Sequence, residues 1–553
     1  MTGREVEGRV SQGIDRRTFL RNGGLTFAGL QAIGVGGLGA WLASCGSDSK
    51  TSAGSGAASV SEDGVLTLRM PFLQDMQIPD PDIMYEGEGL QVMLSAYEGL
   101  TKYEPTTGKI IPSLAESWTV SEDLLTYTFK LVPNVKFHDG TPADADAWVK
   151  SFKRRLDVNQ GPAYMVAFAK STAAPDPTTF VVTLKEPNDA FLDYLACPWS
   201  PFAVSPTAVT KNAVKDDLAQ EWLKTHDAGT GPYVISEFVP ASHYTLDVFP
   251  DYWGTAPQFK QIIIEITPDV STQRLKLESG DFDMVTKGFA IEDIESFQKN
   301  SDYTVTITSG TAMICLWINA TSGIFADKPL RQALLQSIDR ESVIKPAYDG
   351  LVKLTKNFYS ENMFPDGLAP FDVTYDPTVL KGLVDGLSSK KVDMAFAGSG
   401  GAPFRRMAEL VQVQLSAAGL DVAVREMPTS QLFALATEPP ETRPDLLFSV
   451  YGPDALHVDT MVRIYLRTGA VPLNWYNYSN AEIDSEMDKA LTEPTKDKVN
   501  AHYVTIQNIL KEEAWVLPFG RRLEAVVSRK GISNIIGNAY LPSIITVAEL
   551  KDA

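Results

Sequence analysis

A strand, a glycine-rich loop, a helix and a second strand follow one another in residues 392–424, and this order limits the possible folds most strongly. Residues 392–397 are short and apolar, as in a buried strand, and residues 398–401 form the loop. The helix places its apolar side chains on one face and ends at Gly419. Those inward positions are Phe404, Met407, Val411 and Leu415. Because two strands joined by a helix run parallel in one sheet, the sequence predicts an α/β domain.

Residues 101–227 have a different pattern, which is typical of an α+β unit of domain size. Strict alternation of apolar and polar residues predicts two half-buried antiparallel strands. The alternating residues are Leu125, Tyr127, Phe129 and Leu131 in the first strand and Phe180, Val182 and Leu184 in the second. Between the strands, Thr141 and Pro142 predict the start of a helix that contains Trp148. Since the chain has 553 residues, and one core stops growing at about 250 to 300 residues, we expect at least two domains.

Residues 315–344 combine an apolar strand, a loop and a well-capped helix. Residues 319–326 contain the turn formers Asn, Thr, Ser and Gly, while Asp327 and Pro329 are typical of the first turn of a helix. Two interpretations are open. The stretch is either one more unit of a large α/β domain or the passage between two lobes.

The N-terminus has the layout of an export signal. Arg16 and Arg17 precede a weakly polar, glycine-rich run, and Leu-Ala-Ser-Cys45 ends it. Because glycine disfavours a stable helix, the run is a poor permanent membrane span. The stretch resembles twin-arginine signals, in which the arginine pair is recognised by an export receptor. It also resembles lipoprotein signals, in which the cysteine is acylated and becomes the first residue.

The resemblance to lipoprotein signals implies that residues 1–44 are a signal peptide and that Cys45 carries the lipid. Residues 45–62 are rich in Ser, Gly and Ala and are expected to form a flexible tether. We therefore expect an exported protein that its lipid holds at the outer face of the cytoplasmic membrane. The alternative is a chance cysteine beside a signal peptide.

Composition and motifs argue against several classes of partner and chemistry. The formal net charge of −20 disfavours nucleic acid, which requires basic patches. The loop at residues 398–401 lacks the third glycine of a dinucleotide fingerprint and the lysine of a P-loop. The sequence contains no nucleophile elbow and no H-E-x-x-H motif, and its five histidines are scattered. We expect no catalytic residue, no metal, no cofactor and no enzymatic activity.

Eight short phrases, in order, resemble the extracellular solute-binding proteins of ABC importers, family 5, the group that binds oligopeptides, dipeptides and nickel. They are residues 96–100, 112–118, 125–129 with 136–142, 229–233, 251–254, 274–283, 329–341 and 477–491. The resemblance implies an α/β, two-lobe periplasmic-binding-protein-like fold (type II, cluster C) with an extra α+β subdomain inserted in lobe I. Lobe I would comprise residues 63–100, 228–317 and 516–553, the inserted subdomain residues 101–227, and lobe II residues 318–515.

The resemblance also implies a function. The protein would be a monomeric, lipid-anchored subunit of an ABC importer that encloses a peptide or similar small solute between its lobes and delivers it to the permease. Three alternatives stay open: a non-peptide solute such as a sugar or a nickel chelate, a sensor that serves no permease, and a secreted hydrolase whose triad local motifs do not reveal.

One phrase indicates a ligand contact. Peptide-binding members of the family pair the ligand's α-amino group with the aspartate of a Trp-x-Ala-Asp phrase, and the matching residues here are Tyr451-Gly452-Pro453-Asp454. The resemblance implies that Asp454 binds the ligand amine; the alternative is an aspartate that caps a helix near Val458. We add the aromatic residues Tyr451, Trp475 and Tyr97 as candidates, with packing in the core as the alternative for each.

Two further expectations complete the sequence-based prediction. If the chain is exported folded from a reducing cytoplasm, Cys197 and Cys315 are free buried thiols. Residues 329–341, in the helix after Asp327, are one of the eight phrases that resemble the family. We therefore predict that residues 319–326 lie near the hinge between the lobes and that this helix anchors lobe II.

Overall fold

The computed structural model describes residues 59–60 and 65–552. The predicted export signal, Arg16, Arg17, Cys45 and most of the predicted tether lie outside the described residues. The strands are β1 (Ser59–Val60), β2 (Leu66–Phe72), β3 (Thr101–Tyr103), β4 (Ile110–Pro112), β5 (Ala115–Val120), β6 (Thr126–Leu131), β7 (Ala169–Asp176), β8 (Thr179–Leu184), β9 (Tyr233–Val239), β10 (His243–Val248), β11 (Gln261–Ile266), β12 (Met284–Val285), β13 (Tyr303–Ile318), β14 (Val352–Leu354), β15 (Lys391–Ala397), β16 (Asp421–Met427), β17 (Leu446–Tyr451), β18 (Val516–Arg529), β19 (Ile532–Ser533) and β20 (Lys551–Asp552).

The helices between these strands are mostly short, and each joins or covers a sheet. They are α1 (Leu90–Ala96), α2 (Ala145–Val158), α3 (Phe191–Ala196), α4 (Pro206–Asn212), α5 (Val270–Ser279), α6 (Ile291–Gln298), α7 (Lys328–Gln336), α8 (Arg340–Tyr348), α9 (Pro377–Val384), α10 (Gly401–Ala417), α11 (Thr429–Leu435), α12 (Val458–Leu466), α13 (Ala481–Thr492) and α14 (Lys496–Glu513). Within the described part of the chain, no helix has both the length and the apolar character that a membrane span requires.

Lobe I is built on a five-stranded sheet in the order β1-β2-β11-β10-β9. β2 and β11 are parallel neighbours, whereas β9, β10 and β11 are antiparallel. Every second residue of β10 and β11 is buried, because successive side chains of a strand point to opposite faces of the sheet. The buried residues are Tyr244, Leu246, Ile262 and Ile264.

The inserted subdomain has a four-stranded antiparallel sheet in the order β5-β6-β8-β7. The alternating residues predicted from sequence form β6 and β8, and Tyr127, Phe129 and Phe180 pack with Trp148 in a hydrophobic cluster separate from the main core. The helix begins later than predicted. Asp144, not Thr141, is the N-cap of α2, since its carboxylate accepts a hydrogen bond from the N–H of Ala147 at 3.0 Å.

Lobe II is built on a mixed sheet in the order β12-β18-β13-β17-β15-β16, with β14 paired to β18. β15 and β16 are parallel neighbours and α10 connects them, so the predicted βαβ unit is confirmed. The inward residues of α10, which include Phe404 and Leu415, are buried as their spacing predicts. The molecule therefore has the predicted two-lobe α/β fold with mixed parallel and antiparallel sheets.

The two longest strands, β13 and β18, run side by side through both lobes. Their pairing is irregular between Ser309 and Met313. Before this point β13 packs against α5 and α6 of lobe I, and from Met313 to Ile318 it also pairs with β17 of lobe II. β13 thus contacts elements on both sides of the predicted boundary, and that boundary, at residues 317/318, falls inside this strand.

The prediction that residues 319–326 lie near the hinge is wrong. Leu316, before this loop, and Leu334, after it, belong to one continuous hydrophobic cluster. Asn319 is buried and its backbone N–H donates to the carbonyl of Asp445 next to β17 at 2.9 Å. The stretch is thus one more unit of the α/β lobe. The predicted cap is confirmed, because the Asp327 carboxylate accepts from the N–H of Leu330 at 3.3 Å.

Candidate functional site

The loop between β17 and α12 carries Asp454 to the boundary between lobe II and the inserted subdomain. Asp454 is half-buried, and the hydroxyl of Tyr164 in the inserted subdomain donates a hydrogen bond to its Oδ2 at 2.5 Å. The alternative role as a helix cap is wrong. The N-cap of α12 is His457, whose Nδ1 accepts from the N–H of Asp459 at 3.2 Å.

Aromatic residues from three segments surround this contact. The tyrosine cluster, as we call it, consists of Tyr85, Tyr164, Tyr194, Trp199 and Tyr540. The hydroxyls of Tyr85 and Tyr164 are 3.2 Å apart, and Trp199 contacts Tyr85 and Tyr540 at ring-centre distances of 5.4 and 5.1 Å. Burial, together with the negative charge of Asp454, raises the pKa of Tyr164 and Tyr540 well above the usual range. These tyrosines are therefore neutral and can donate or accept hydrogen bonds.

Two buried arginines fix the loop that carries Tyr85. Arg154 of α2 binds Asp80 at 2.7 Å, and the neighbouring Arg155 binds Asp82 at 2.8 Å. All four side chains are at most 4% exposed. A buried ion pair is favourable only when both charges are satisfied, and here several hydrogen bonds meet that condition. The network attaches the loop after β2 to the inserted subdomain, so Tyr85 and Tyr164 belong to one side of the site.

Further polar contacts join the inserted subdomain to lobe II beside Asp454. The hydroxyl of Tyr103 accepts from the N–H of Leu456 at 2.9 Å. Asp189 makes two contacts: its N–H donates to the carbonyl of Leu491 at 3.1 Å, and its Oδ2 lies 3.0 Å from Nε2 of His457. Lobe II and the inserted subdomain are thus in direct contact in this conformation.

Tyr451 and Trp475 lie in the core of lobe II. The hydroxyl of Tyr451 donates to the carbonyl of Phe358, and its ring centre lies 5.4 Å from that of Trp317. Trp475 lies against the same indole, also at 5.4 Å, and is 4% exposed. Both positions match the alternative of core packing, so neither side chain contributes a surface to the site in this conformation.

Tyr97 lies in the core of lobe I, away from Asp454. It is 1% exposed, its hydroxyl donates to the carbonyl of Pro79 at 3.2 Å, and it accepts from the N–H of Ala228 at 3.0 Å. Of the four candidate ligand residues, Asp454 is therefore the one that reaches the boundary between the lobes. Tyr164 and Asp189 could not be identified from the sequence, because contacts between segments far apart in the chain bring them to this boundary. His457 lies in the same loop as Asp454, but a single histidine there has no motif that would reveal its contact with Asp189.

The two described cysteines, Cys197 and Cys315, are free and buried, which confirms the prediction. Burial raises the pKa of both thiols far above the usual value. Among residues 59–60 and 65–552, no group of three or more His, Cys, Asp or Glu side chains is placed to hold a metal ion.

Three of the eight family phrases meet at one half-buried carboxylate, Glu98. It accepts hydrogen bonds from Thr230 at 2.9 Å, Tyr252 at 3.0 Å and the indole N–H of Trp253 at 2.9 Å. Burial raises the pKa of Glu98, although these three donors act in the opposite direction. The contacts lie within lobe I, so these phrases contribute to its fold.

Comparisons with known proteins agree with this architecture. The family model described as bacterial extracellular solute-binding proteins, family 5, matches residues 109–471, which is more than half of the chain. The nickel-binding periplasmic protein of Escherichia coli (strain K12) is 27% identical over 478 residues, covering 79% of this chain and 86% of that protein.

Two solved structures show the same fold. The ABC transporter substrate-binding protein CtaP from Listeria monocytogenes superposes with a TM-score of 0.79 at 22% identity, over 88% of this chain and 99% of the other. MppA, a periplasmic murein tripeptide-binding protein in its unliganded open form, superposes with a TM-score of 0.71 at 20% identity, over 90% of this chain and 99% of the other.

Proposed function

The chain belongs to the bacterial extracellular solute-binding proteins, family 5, and we propose that it is the lipid-anchored solute-binding subunit of an ABC importer. It captures a peptide or similar small solute between lobe II and the opposite side formed by lobe I and the inserted subdomain, and it delivers the solute to the permease. No covalent bond is made or broken in this task. The importer's own ATPase supplies the energy.

The observation that carries this proposal is the Asp454 carboxylate at the boundary between the lobes. Tyr164 donates to it from across that boundary, so the carboxylate is placed to accept a hydrogen bond from a donor between the lobes. A ligand amine is a stronger donor than a phenol, because a charge-assisted hydrogen bond to a carboxylate is about twice as strong as a neutral one. An α-amino group that takes the place of the Tyr164 hydroxyl would therefore be held firmly.

The ligand would act by shifting the balance between open and closed conformations. MppA, which has this fold, has an unliganded open form. In the conformation described here, Tyr103, Asp189 and Leu491 make polar contacts between the inserted subdomain and lobe II. A ligand that touches both sides favours the closed conformation by its differential affinity, and the closed form is the one that the permease would recognise.

The decisive test is Asp454→Asn, measured by calorimetric titration with a set of peptides that carry a free amino group. Loss of a hydrogen bond between two charged groups removes about 1.5 to 3 kcal/mol, so we expect affinity to fall roughly ten- to hundredfold. Tyr451→Phe is the matched control, because it removes a hydroxyl only three residues away in the core and should leave affinity unchanged. Unchanged affinity of Asp454→Asn across the whole set would contradict the assigned role.

The class of solute is tested separately. Native mass spectrometry of the protein should reveal a co-purified ligand, and thermal shift with peptides, sugars and nickel chelates should rank the candidates. A ligand at about 100 times its Kd stabilises the folded state by about 2.7 kcal/mol. A shift with a sugar or chelate and none with peptides would replace the peptide assignment.

The anchor and the export route have their own test. Cys45→Ser should move the protein from the membrane fraction to the soluble exported fraction, because a covalently attached lipid is what would hold it at the membrane. Lysine substitution of both Arg16 and Arg17 should stop export, because the export receptor recognises the arginine pair itself. Membrane retention of the Cys45→Ser variant would contradict the lipid anchor.

A further inference from the structure

A titratable contact crosses the boundary between lobe II and the inserted subdomain. Nε2 of His457 lies 3.0 Å from Oδ2 of Asp189, and the two side chains are 13% and 33% exposed. Nδ1 of the same ring accepts from the N–H of Asp459 at the start of α12. Both ring nitrogens are therefore engaged, one across the boundary and one within lobe II.

The pair lies within a set of contacts that exists only when the two sides meet. The Asp189 N–H bonds to the Leu491 carbonyl, and Tyr103 accepts from the N–H of Leu456. Those two contacts use a backbone amide and a phenol, and neither changes charge near neutral pH. Histidine does, because its ordinary pKa of about 6.5 lies in this range. His457 thus adds a pH-sensitive element to this contact surface.

The charges around His457 favour its protonated form. Burial lowers its pKa, but the hydrogen bond to Asp189 and the negative charges of Asp193, Asp189 and Asp459 outweigh burial, so the pKa is raised. Arg463 is bound to Asp459 at 2.7 Å, and the charge of Lys496 acts on Asp193. From α14, the ring of Tyr503 faces the imidazole at a centre distance of 5.9 Å, and its own pKa is raised by burial, so it is neutral.

We propose that His457 and Asp189 form a proton-dependent latch between lobe II and the inserted subdomain. Protonation of His457 strengthens the pair, favours the closed conformation and tightens the grip on the solute. The latch rests on the proposed function, since it regulates closure of the same binding site. A protein at the outer face of the membrane would experience external pH, so its affinity for solute would follow the acidity of the surroundings.

The direction of the effect follows from linkage. With the lobes apart, His457 loses Asp189 and Asp193, so its pKa is lower than in the closed form. Since its pKa in the closed form is higher, closure takes up a proton between these two values. The closed form is thus favoured most below the pKa of the open form, and the advantage is lost as pH rises through the pKa of the closed form. The contact between Nδ1 and the Asp459 N–H lies within lobe II, so protonation disrupts it whether the lobes are together or apart, and the direction of the effect is unchanged.

Ligand-free closure is tested by pulsed electron spin resonance between spin labels at Val214→Cys in the inserted subdomain and Val413→Cys in lobe II. Both positions are exposed, and buried Cys197 and Cys315 do not compete for the label in a Cys45→Ser background. Each unit of difference in pKa changes an equilibrium tenfold, so we expect the ratio of closed to open molecules to fall about three- to tenfold from pH 5.5 to 8.5. A ratio that is the same across this range would overturn the proposal.

Two variants locate the effect. His457→Gln keeps a donor toward Asp189 but cannot be protonated, and Asp189→Asn keeps the shape but removes the charge. Both should abolish the pH dependence, so a folding defect in one leaves the other decisive. His226→Gln is the matched control, because His226 lies in the inserted subdomain and stacks on Trp222 of the same subdomain. If pH dependence persists in both latch variants, His457 is not its source.

The binding arm of the experiment separates this proposal from the proposed function. Trialanine is titrated into the wild type and His457→Gln at pH 5.5 and 8.5. The latch predicts an affinity that falls with rising pH in the wild type only. Equal behaviour of both proteins would overturn the latch while leaving solute binding intact. If trialanine binds neither protein at either pH, the peptide assignment fails, and the ligand-free distances still decide the latch.

Discussion

His138→Phe is expected to destabilise the junction between the inserted subdomain and lobe I by about 3 kcal/mol at pH 6. His138 and Asp227 are 5% and 1% exposed. Nδ1 of the imidazole contacts the Asp227 carboxylate and Nε2 lies 3.0 Å from the carbonyl of Gly231. A carboxylate and a carbonyl both accept, so the doubly protonated ring is the form that satisfies both contacts. Burial lowers the pKa of His138, yet Asp227, Gly231 and Glu98 outweigh it and raise the pKa.

The magnitude follows from which contacts the substitution removes. Phenylalanine keeps an aromatic ring against Phe249, whose ring centre is 4.8 Å from that of the histidine, so the loss of packing is small. Removing one partner of a buried ion pair destabilises a protein by about 3 to 5 kcal/mol. Asp227 retains hydrogen bonds from the N–H groups of Ile235 at 2.7 Å and Gly229 at 3.3 Å, which places the loss at the lower end.

The effect should depend on pH with a definite sign. Because the folded pKa of His138 is raised, its stabilising contribution is fully present below about pH 6.5 and is lost as pH rises through the folded value. The difference in stability between wild type and His138→Phe should therefore be largest near pH 6 and smaller at pH 9.

Hydrogen exchange of residues 229–239, corrected for the intrinsic effect of pH, measures the local stability of this junction. A local measurement is needed because a chain with several domains does not unfold in one two-state step. About 3 kcal/mol corresponds to roughly a hundredfold faster exchange through local opening. His226→Gln should leave the segment unchanged. If the difference in protection between wild type and His138→Phe is the same at pH 6 and pH 9, the assignment of an ionised histidine is refuted. If His138→Phe is as well protected as wild type, the stabilising role of the His138–Asp227 pair is refuted.

Glu98 and the two buried thiols can be tested in the same way. Glu98→Ala leaves the donors of Thr230, Tyr252 and Trp253 without their acceptor. At about 1 kcal/mol for each lost hydrogen bond, we expect the free energy of unfolding in urea to fall by roughly 3 kcal/mol. A variant as stable as wild type would contradict this. Cys197 and Cys315 should not react with an aromatic disulfide reagent at pH 8 until the protein is unfolded, because burial disfavours the reactive thiolate; rapid reaction of the native protein would contradict their burial.

Local patterns predicted local structure well. The alternation in residues 125–131 corresponds to β6, the helix predicted to contain Phe404 and Leu415 is α10, and Asp327 caps α7. Each of these elements is decided by side-chain periodicity or by a cap within a few residues, and both are visible in the sequence. The predicted start of α2 is wrong because Thr141 and the actual cap, Asp144, are both residue types that cap helices and lie within one turn of each other.

Long-range contacts could not be predicted in the same way. The sequence shows that residues 315–318 form a strand, but it does not show that the neighbouring strand is β17. Because of this pairing, β13 itself contacts lobe II. Tyr451 and Trp475 sit beside loops, yet an aromatic residue there packs equally well inward. Tyr164 lies in a short turn after Pro162 with no local pattern of its own, so only the fold reveals that it meets Asp454.

The buried networks determine which parts of the molecule can move together. Arg154 holds the loop of Tyr85 to the inserted subdomain. His138 and its partner Asp227 hold that subdomain to lobe I, because Nε2 of His138 contacts the carbonyl of Gly231 and the Asp227 carboxylate accepts from the N–H of Ile235. Breaking either network exposes charges that are almost completely buried, whereas separating Asp454 from Tyr164, or His457 from Asp189, exposes groups that are already partly accessible. Closure should therefore occur at the second set of contacts, with lobe I and the inserted subdomain moving as one body against lobe II. The amine site and the latch then respond to a single motion, so Asp454→Asn and His457→Gln should each weaken binding without altering hydrogen exchange at residues 229–239.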